Sequence, residues 1–125
     1  MKIENDVKPS VVDEKTMQFA IRAIRLYRYL SEKKKEYVVS KQFLRSGTAI
    51  GALVREAEHA QSKADFLSKM NIALKEANET MYWLIILHET SFLSDSEFSS
   101  IHTEAEELVK ILASIVKTTK TRLEH

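Results

Sequence analysis

Apolar residues along this chain recur at intervals of three and four, the spacing that aligns side chains on one face of an α-helix. Between about Asp13 and Ser31, Met17, Ala20, Ile21, Ile24 and Tyr27 keep that step and predict a first helix with this face buried. Phe19, Ala23, Leu26 and Leu30 make a second stripe beside it. The charged run from Glu32 to Glu36 interrupts the pattern. A second helix is predicted from about Tyr37 to Ala60, with Phe43, Gly47, Ile50, Val54 and Ala57 inward. Ser62 is a favourable N-cap with Asp65 three residues on, so a third helix starts there and runs to Glu89 or Thr90. The fourth helix has the clearest start, because Ser94 caps, Glu97 takes the third helical position and Leu93 can staple onto Phe98. Its seam is Phe98, Ile101, Ala105, Leu108, Leu112 and Ile115. Four such helices with short links fold most simply up-down-up-down. The predicted fold class is therefore all-α, an antiparallel up-and-down four-helix bundle. Residues 1–12, with Pro9, are expected to form an N-terminal arm and 13–122 the bundle. Leu123, Glu124 and His125 resemble the start of a purification-tag scar.

Composition agrees with long helices. The 125 residues suit one domain, 44% are apolar, and there are 2 glycines and 1 proline to break a helix. With no cysteine there is no disulfide frame and no thiolate chemistry. The longest apolar run, Met81 to Leu87, is far short of a membrane span, so no membrane partner is expected and a cytoplasmic location is the default.

That same run argues for assembly. Seven consecutive apolar or aromatic residues point around the whole circumference of the third helix, and one bundle is not expected to cover both sides. Tyr82, Trp83, Ile86 and Leu87 are therefore the candidate oligomer interface. Gly47 and Gly51, four apart on the second helix, leave room for the close approach of another helix, with intrachain packing the preferred account.

A net charge of +1 conceals an asymmetry. Arg22, Arg25, Arg28, Lys33, Lys34, Lys35, Lys41 and Arg45 face only Glu32 and Glu36 within their segment. The acidic counterweight comes later, at Glu76, Glu79, Glu89, Asp95, Glu97, Glu104, Glu106 and Glu107. Arg22, Arg25 and Arg28 step along the first helix, and Lys33, Lys34, Lys35 and Lys41 carry the charge into the link and beyond. Repeated by symmetry, this surface would form a basic rim that attracts phosphate; the alternative is an ordinary solvated face. No aromatic residue is plainly exposed for stacking on bases. Across the hairpin of the second and third helices, Arg45 comes level with Glu76 and Glu79, which predicts a structural ion pair.

Catalytic and metal chemistry find little support. The di-iron bundle pattern needs Glu-x-x-His on two helices, and only Glu56-x-x-His59 is present, so no metal and no cofactor are indicated. There is no nucleophile elbow and no P-loop, and His88 in the third helix reads as a polar group satisfied by packing. An enzyme is not expected.

The stretch Leu44-Arg45-Ser46-Gly47-Thr48-Ala49-Ile50-Gly51, then Arg55-Glu56-Ala57 and Ala60-Gln61-Ser62-Lys63-Ala64-Asp65-Phe66, resembles the bacterial four-helix-bundle family encoded within 23S rRNA intervening sequences. Ala73-Leu74-Lys75-Glu76-Ala77-Asn78-Glu79-Thr80, leading into Tyr82-Trp83-Leu84, resembles it too. The similarity runs from about Phe19 to Leu93. It implies a bundle and a homopentameric, barrel-like assembly, with no catalytic residues and no assigned biochemical role. A relative in fold, the accessory variability protein of diversity-generating retroelements, acts with a reverse transcriptase and nucleic acid, although it is markedly basic and this chain is not. The chain departs from the family at Leu53, where Asn is usual. The expected function is thus a non-enzymatic homo-oligomer whose helix 1 surface binds RNA or a nucleic-acid-processing protein, or else a scaffolding module that binds no nucleic acid.

Overall fold

The computed structural model describes residues 9–124, and these form four helices: α1 (Pro9–Glu32), α2 (Val39–Glu58), α3 (Lys63–Glu89) and α4 (Asp95–Glu124). Each packs against the next in chain order, the α4 backbone approaches α1 only sparingly, and the backbones of the diagonal pairs α1/α3 and α2/α4 stay more than 8 Å apart at every Cα pair among the described residues. Cross-helix partners run in opposite directions along each seam. Arg22 meets Glu104 while Lys15 meets Glu107, and Arg45 meets Glu76 while Glu56 meets Lys69. The architecture is an antiparallel up-and-down four-helix bundle.

The core draws large side chains from every helix: Phe19 and Leu30, Phe43 and Ile50, Met70 and Leu84, Leu112 and Ile115. α1 begins at Pro9 rather than near Asp13, which takes Val12 into the core. The rest of the expected arm, residues 1–8, lies outside the described residues. At the other end α4 continues through Leu123 and Glu124, two of the three residues read as a tag scar.

Of the two stripes on α1, the structure buries the other one. Phe19, Ala23 and Leu30 are in the core with Val12 and Thr16, whereas Met17, Ile21 and Ile24 face solvent at 44%, 36% and 39% exposure. The notch on α2 explains the choice. A Cβ at Gly47 would stand 3.2 Å from the Ala23 methyl, and one at Gly51 would stand 3.3 Å from the Thr16 carbonyl oxygen. The two glycines therefore seat α1, and α1 turns the face that fits them inward. Phe19 meets Phe43 edge-on, with ring centroids 6.4 Å apart, just beside this notch.

The interior polar side chains are consumed by the fold. The Thr80 hydroxyl donates to the Glu76 carbonyl at 2.8 Å and meets the Ser46 hydroxyl at 2.9 Å, joining α3 to α2. Thr16 donates to the Val12 carbonyl at 2.8 Å. Among the described residues no buried side-chain nitrogen or oxygen lacks a hydrogen-bond partner.

Candidate interaction surfaces

The basic segment falls on the α1–α2 link and the outer face of α1. At the end of α1 the N–H groups of Lys33 and Lys34 donate to the Tyr29 carbonyl, Lys35 takes a left-handed conformation (φ 58°), and the Glu36 N–H donates to the Leu30 carbonyl at 2.9 Å. The Glu36 carboxylate then accepts the N–H groups of Val38, Val39 and Ser40 at 3.1, 3.0 and 2.6 Å, and the Ser40 hydroxyl donates back to the Glu36 carbonyl. Burial alone would raise the Glu36 carboxyl, but the backbone donors of Ser40, Val39 and Val38 outweigh it and hold the group below the ordinary glutamate value.

This cap starts α2 at Val39, two residues after the predicted position, and leaves Tyr37 in the link. Tyr37 is 50% exposed and Val38 74%. An aromatic ring is therefore in solvent beside the lysines, contrary to the sequence expectation, because Glu36 reaches forward and ends the link before Tyr37 can join the helix. No residue signal short of that geometry distinguishes Glu36 from the solvated charges around it.

The candidate cations divide by direction. Arg22 turns toward α4, where it bonds Glu104 and the Ser100 hydroxyl. Lys34 lies over the Tyr29 ring, 5.8 Å from its centroid. Arg25, Arg28, Lys33, Lys35 and Lys41 are exposed, with no carboxylate within salt-bridge distance among the described residues. The same end of the bundle carries an acidic counterpart on the α3–α4 side, at Glu89, Asp95 and Glu97.

Helical geometry sets Arg25 and Arg28 on the same outward face as Met17, Ile21 and Ile24. Next to that face a shallow groove between α1 and α2 is lined by Thr16, Met17, Ala20, Thr48, Gly51 and Ala52.

On α3 the four residues of the expected interface differ in how far the protomer itself covers them. Leu87 is fully buried in the protomer's own core, and Trp83 and Ile86 are half-buried. The Trp83 indole N–H donates to Glu79 at 2.9 Å, which ties the ring to its own helix. Tyr82 is the most exposed of the four, at 55%, although its ring meets Trp83 edge-on with centroids 5.0 Å apart, and Ile85 lies next to it in solvent. The bundle covers most of α3 because both α2 and α4 pack against it.

Arg45 bonds Glu76 at 3.2 Å and also Glu79, so the guanidinium bridges two carboxylates on α3. The Trp83 indole and then Arg45 hold the Glu79 carboxyl below its usual value, against the opposing effect of burial. Glu56 pairs with Lys69 while His59 is exposed at the end of α2, and among the described residues no three His, Asp or Glu side chains gather into a group that could hold a metal ion. His88 stacks on Phe98, with centroids 4.3 Å apart, and bonds Asp95 at 2.7 Å; Phe98 stacks in turn on His102. Leu53, where the resemblance leads to an expected Asn, packs against the core.

No helix among the described residues is long and apolar enough to cross a membrane. No curated protein matches the chain. A crystal structure of a Bacteroides thetaiotaomicron protein, described as of unknown function and from the S23 ribosomal protein family, is 52% identical to it. That match covers 87% of this chain and 97% of the other, with a TM-score of 0.86. The 23S rRNA-intervening sequence protein family matches residues 8–114, the whole bundle except the end of α4. With the fold, the motif residues and this span in agreement, the chain belongs to the 23S rRNA-intervening sequence protein family.

Proposed function

We propose that this protein is a non-enzymatic, ring-forming bundle that presents a basic surface to nucleic-acid phosphate. The observation that carries the reading is the outer face of α1, where Met17, Ile21 and Ile24 reach solvent alongside Arg25 and Arg28, which have no ion-pair partner among the described residues. Keeping three large aliphatic side chains wet forgoes part of the roughly 1.5–3 kcal/mol that burying each would provide. A second copy recovers it.

The complementary surface is Tyr82 and Ile85 on α3, which stands diagonally across the bundle from α1. Two different patches at opposite corners pair head to tail, and head-to-tail contacts that close give rings. Five subunits is the number that the family resemblance implies. In such a ring Arg25 and Arg28 sit at the edge of each contact, continuous with the lysines of the α1–α2 link. The interior polar groups are already spent on the fold, which favours a binding role over a reaction.

A second reading, a scaffold without nucleic acid, is favoured by one observation: Arg22 is already neutralised by Glu104. Two measurements separate the readings. Sedimentation of the untagged protein should show a defined oligomer that Ile21→Glu and Tyr82→Glu each reduce to smaller species; a monomer at micromolar concentration would end the ring. Titration with a structured RNA and a length-matched duplex DNA should give binding that falls steeply with salt and weakens when Arg25 and Arg28 are reversed to Glu. No binding at low salt leaves the scaffold.

A further inference from the structure

We propose that the α1–α2 corner is a clamp for single-stranded nucleic acid, in which Tyr37 stacks on one base while Lys33, Lys35 and Lys41 hold the neighbouring phosphates. The inference rests on the phosphate-binding reading above and assigns it a substrate class and a stacking residue.

Three features of the corner support it. First, its ring is free to stack. Tyr37 is half in solvent and adjoins Val38, the most exposed large hydrophobic among the described residues, so the tip offers an apolar platform that the described residues leave open. Second, its charge is free. Lys33, Lys35 and Lys41 flank the ring in sequence, are exposed, and have no salt-bridge partner among the described residues. The positive end of α2 contributes little here, because Glu36 already occupies its first N–H groups, so the attraction to anions comes from the lysines.

Third, the platform is built. Three backbone hydrogen bonds to a buried carboxylate and the Ser40 hydroxyl bond hold residues 36–40 in one conformation. Binding there would lose little further chain freedom. Lys35 also occupies a left-handed position that glycine would take with less strain, which retains a cation where the backbone prefers none.

The class of ligand follows from the geometry. A single ring on a turn cannot reach the face of a paired base inside a duplex. A single strand presents both the base face and the spaced phosphates that such a tip complements. A lipid surface fits less well, because two apolar side chains make too small a face to lodge among acyl chains.

The test uses the full-length untagged protein and fluorescence anisotropy with a labelled oligouridylate and a hairpin duplex of equal charge. Wild type should prefer the single strand. Tyr37→Ala should weaken that binding about tenfold and leave the duplex unchanged, while Tyr37→Phe restores it. Reversal of Lys33, Lys35 and Lys41 to Glu should weaken both ligands. Circular dichroism melts confirm that each variant folds. If Tyr37→Ala leaves single-strand affinity intact while the lysine reversal abolishes it, the clamp is overturned and phosphate binding survives. If wild type binds neither oligonucleotide at low salt, both readings fall together. Tyr37-dependent pelleting with phosphatidylglycerol vesicles, without oligonucleotide binding, would overturn the clamp in favour of a lipid surface.

Discussion

The α1–α2 and α3–α4 links lie at the same end of the bundle and solve the same backbone problem. Each turns through one left-handed residue that is not glycine, Lys35 (φ 58°) and Ser91 (φ 69°). Each starts the next helix under a glutamate carboxylate, Glu36 for α2 and Glu97 for α4. Their side chains then go opposite ways. The α3–α4 link sends Leu93 into the core and shows Asp95 and Glu97 to solvent, whereas the α1–α2 link buries its carboxylate and shows Tyr37, Val38 and three lysines. Similar backbone turns therefore leave one link holding the fold and the other presenting a surface. Which link exposes apolar and basic groups is decided by side-chain direction.

The largest expected effect tests that division directly. Leu93→Ala should cost about 2–4 kcal/mol in chemical denaturation, as buried leucine truncations do. Val38→Ala, at the matching position of display, should stay within about 0.5 kcal/mol. Equal losses would show that Val38 is covered in solution, most simply by another subunit.

The caps come next. Glu36→Ala removes the acceptor of three N–H groups at a buried carboxylate and should cost about 2–3 kcal/mol, against about 1 kcal/mol for Ser94→Ala at the exposed capping box. The pH dependence sharpens the same contrast. Glu36 has a folded pKa below its unfolded one, so its contribution is complete above the ordinary glutamate value of about 4.3 and is lost as pH falls through the lower folded value. Glu97 shifts the same way, chiefly through the Ser94 N–H, but in solvent, where screening weakens the effect. Thermal melts between pH 6 and about pH 3 should thus lose part of their acid slope in Glu36→Gln and less in Glu97→Gln.

The smallest effect is a gain. Lys35→Gly and Ser91→Gly should each stabilise by a few tenths to about 1 kcal/mol, since glycine holds a left-handed position without steric cost but loses more entropy on folding. Only Lys35→Gly should also weaken nucleic-acid binding. If Ser91→Gly did so equally, the two links would not be functionally distinct.

Legibility followed how local each interaction is. The Ser94–Glu97 box lies within four residues, and the structure shows both of its bonds, at 3.2 and 2.8 Å. Ser62 caps α3 by accepting the Asp65 N–H at 3.0 Å, though Asp65 reaches back to Gln61 rather than to Ser62 itself. The role of Glu36 is not legible in the sequence because it caps from outside the helix, after the left-handed turn at Lys35. The burial of Leu87 inside the protomer is not legible in the sequence, because counting apolar residues around α3 takes no account of how much α2 and α4 cover.

By itself the sequence determined four helices, their antiparallel order, the three chain reversals to within a residue or two, and the family. Those follow from periodicity, caps and local motif, which act over a few residues. Only the tertiary structure decided which stripe α1 buries, because both stripes have helical spacing and comparable hydrophobicity. The choice is made by fit: Gly47 and Gly51 leave a notch that accepts Ala23 and Thr16, and the rotation that fills it turns Met17, Ile21 and Ile24, with Arg25 and Arg28, out to solvent. Hydrophobic spacing is a property of one helix, whereas the direction of burial belongs to the pair.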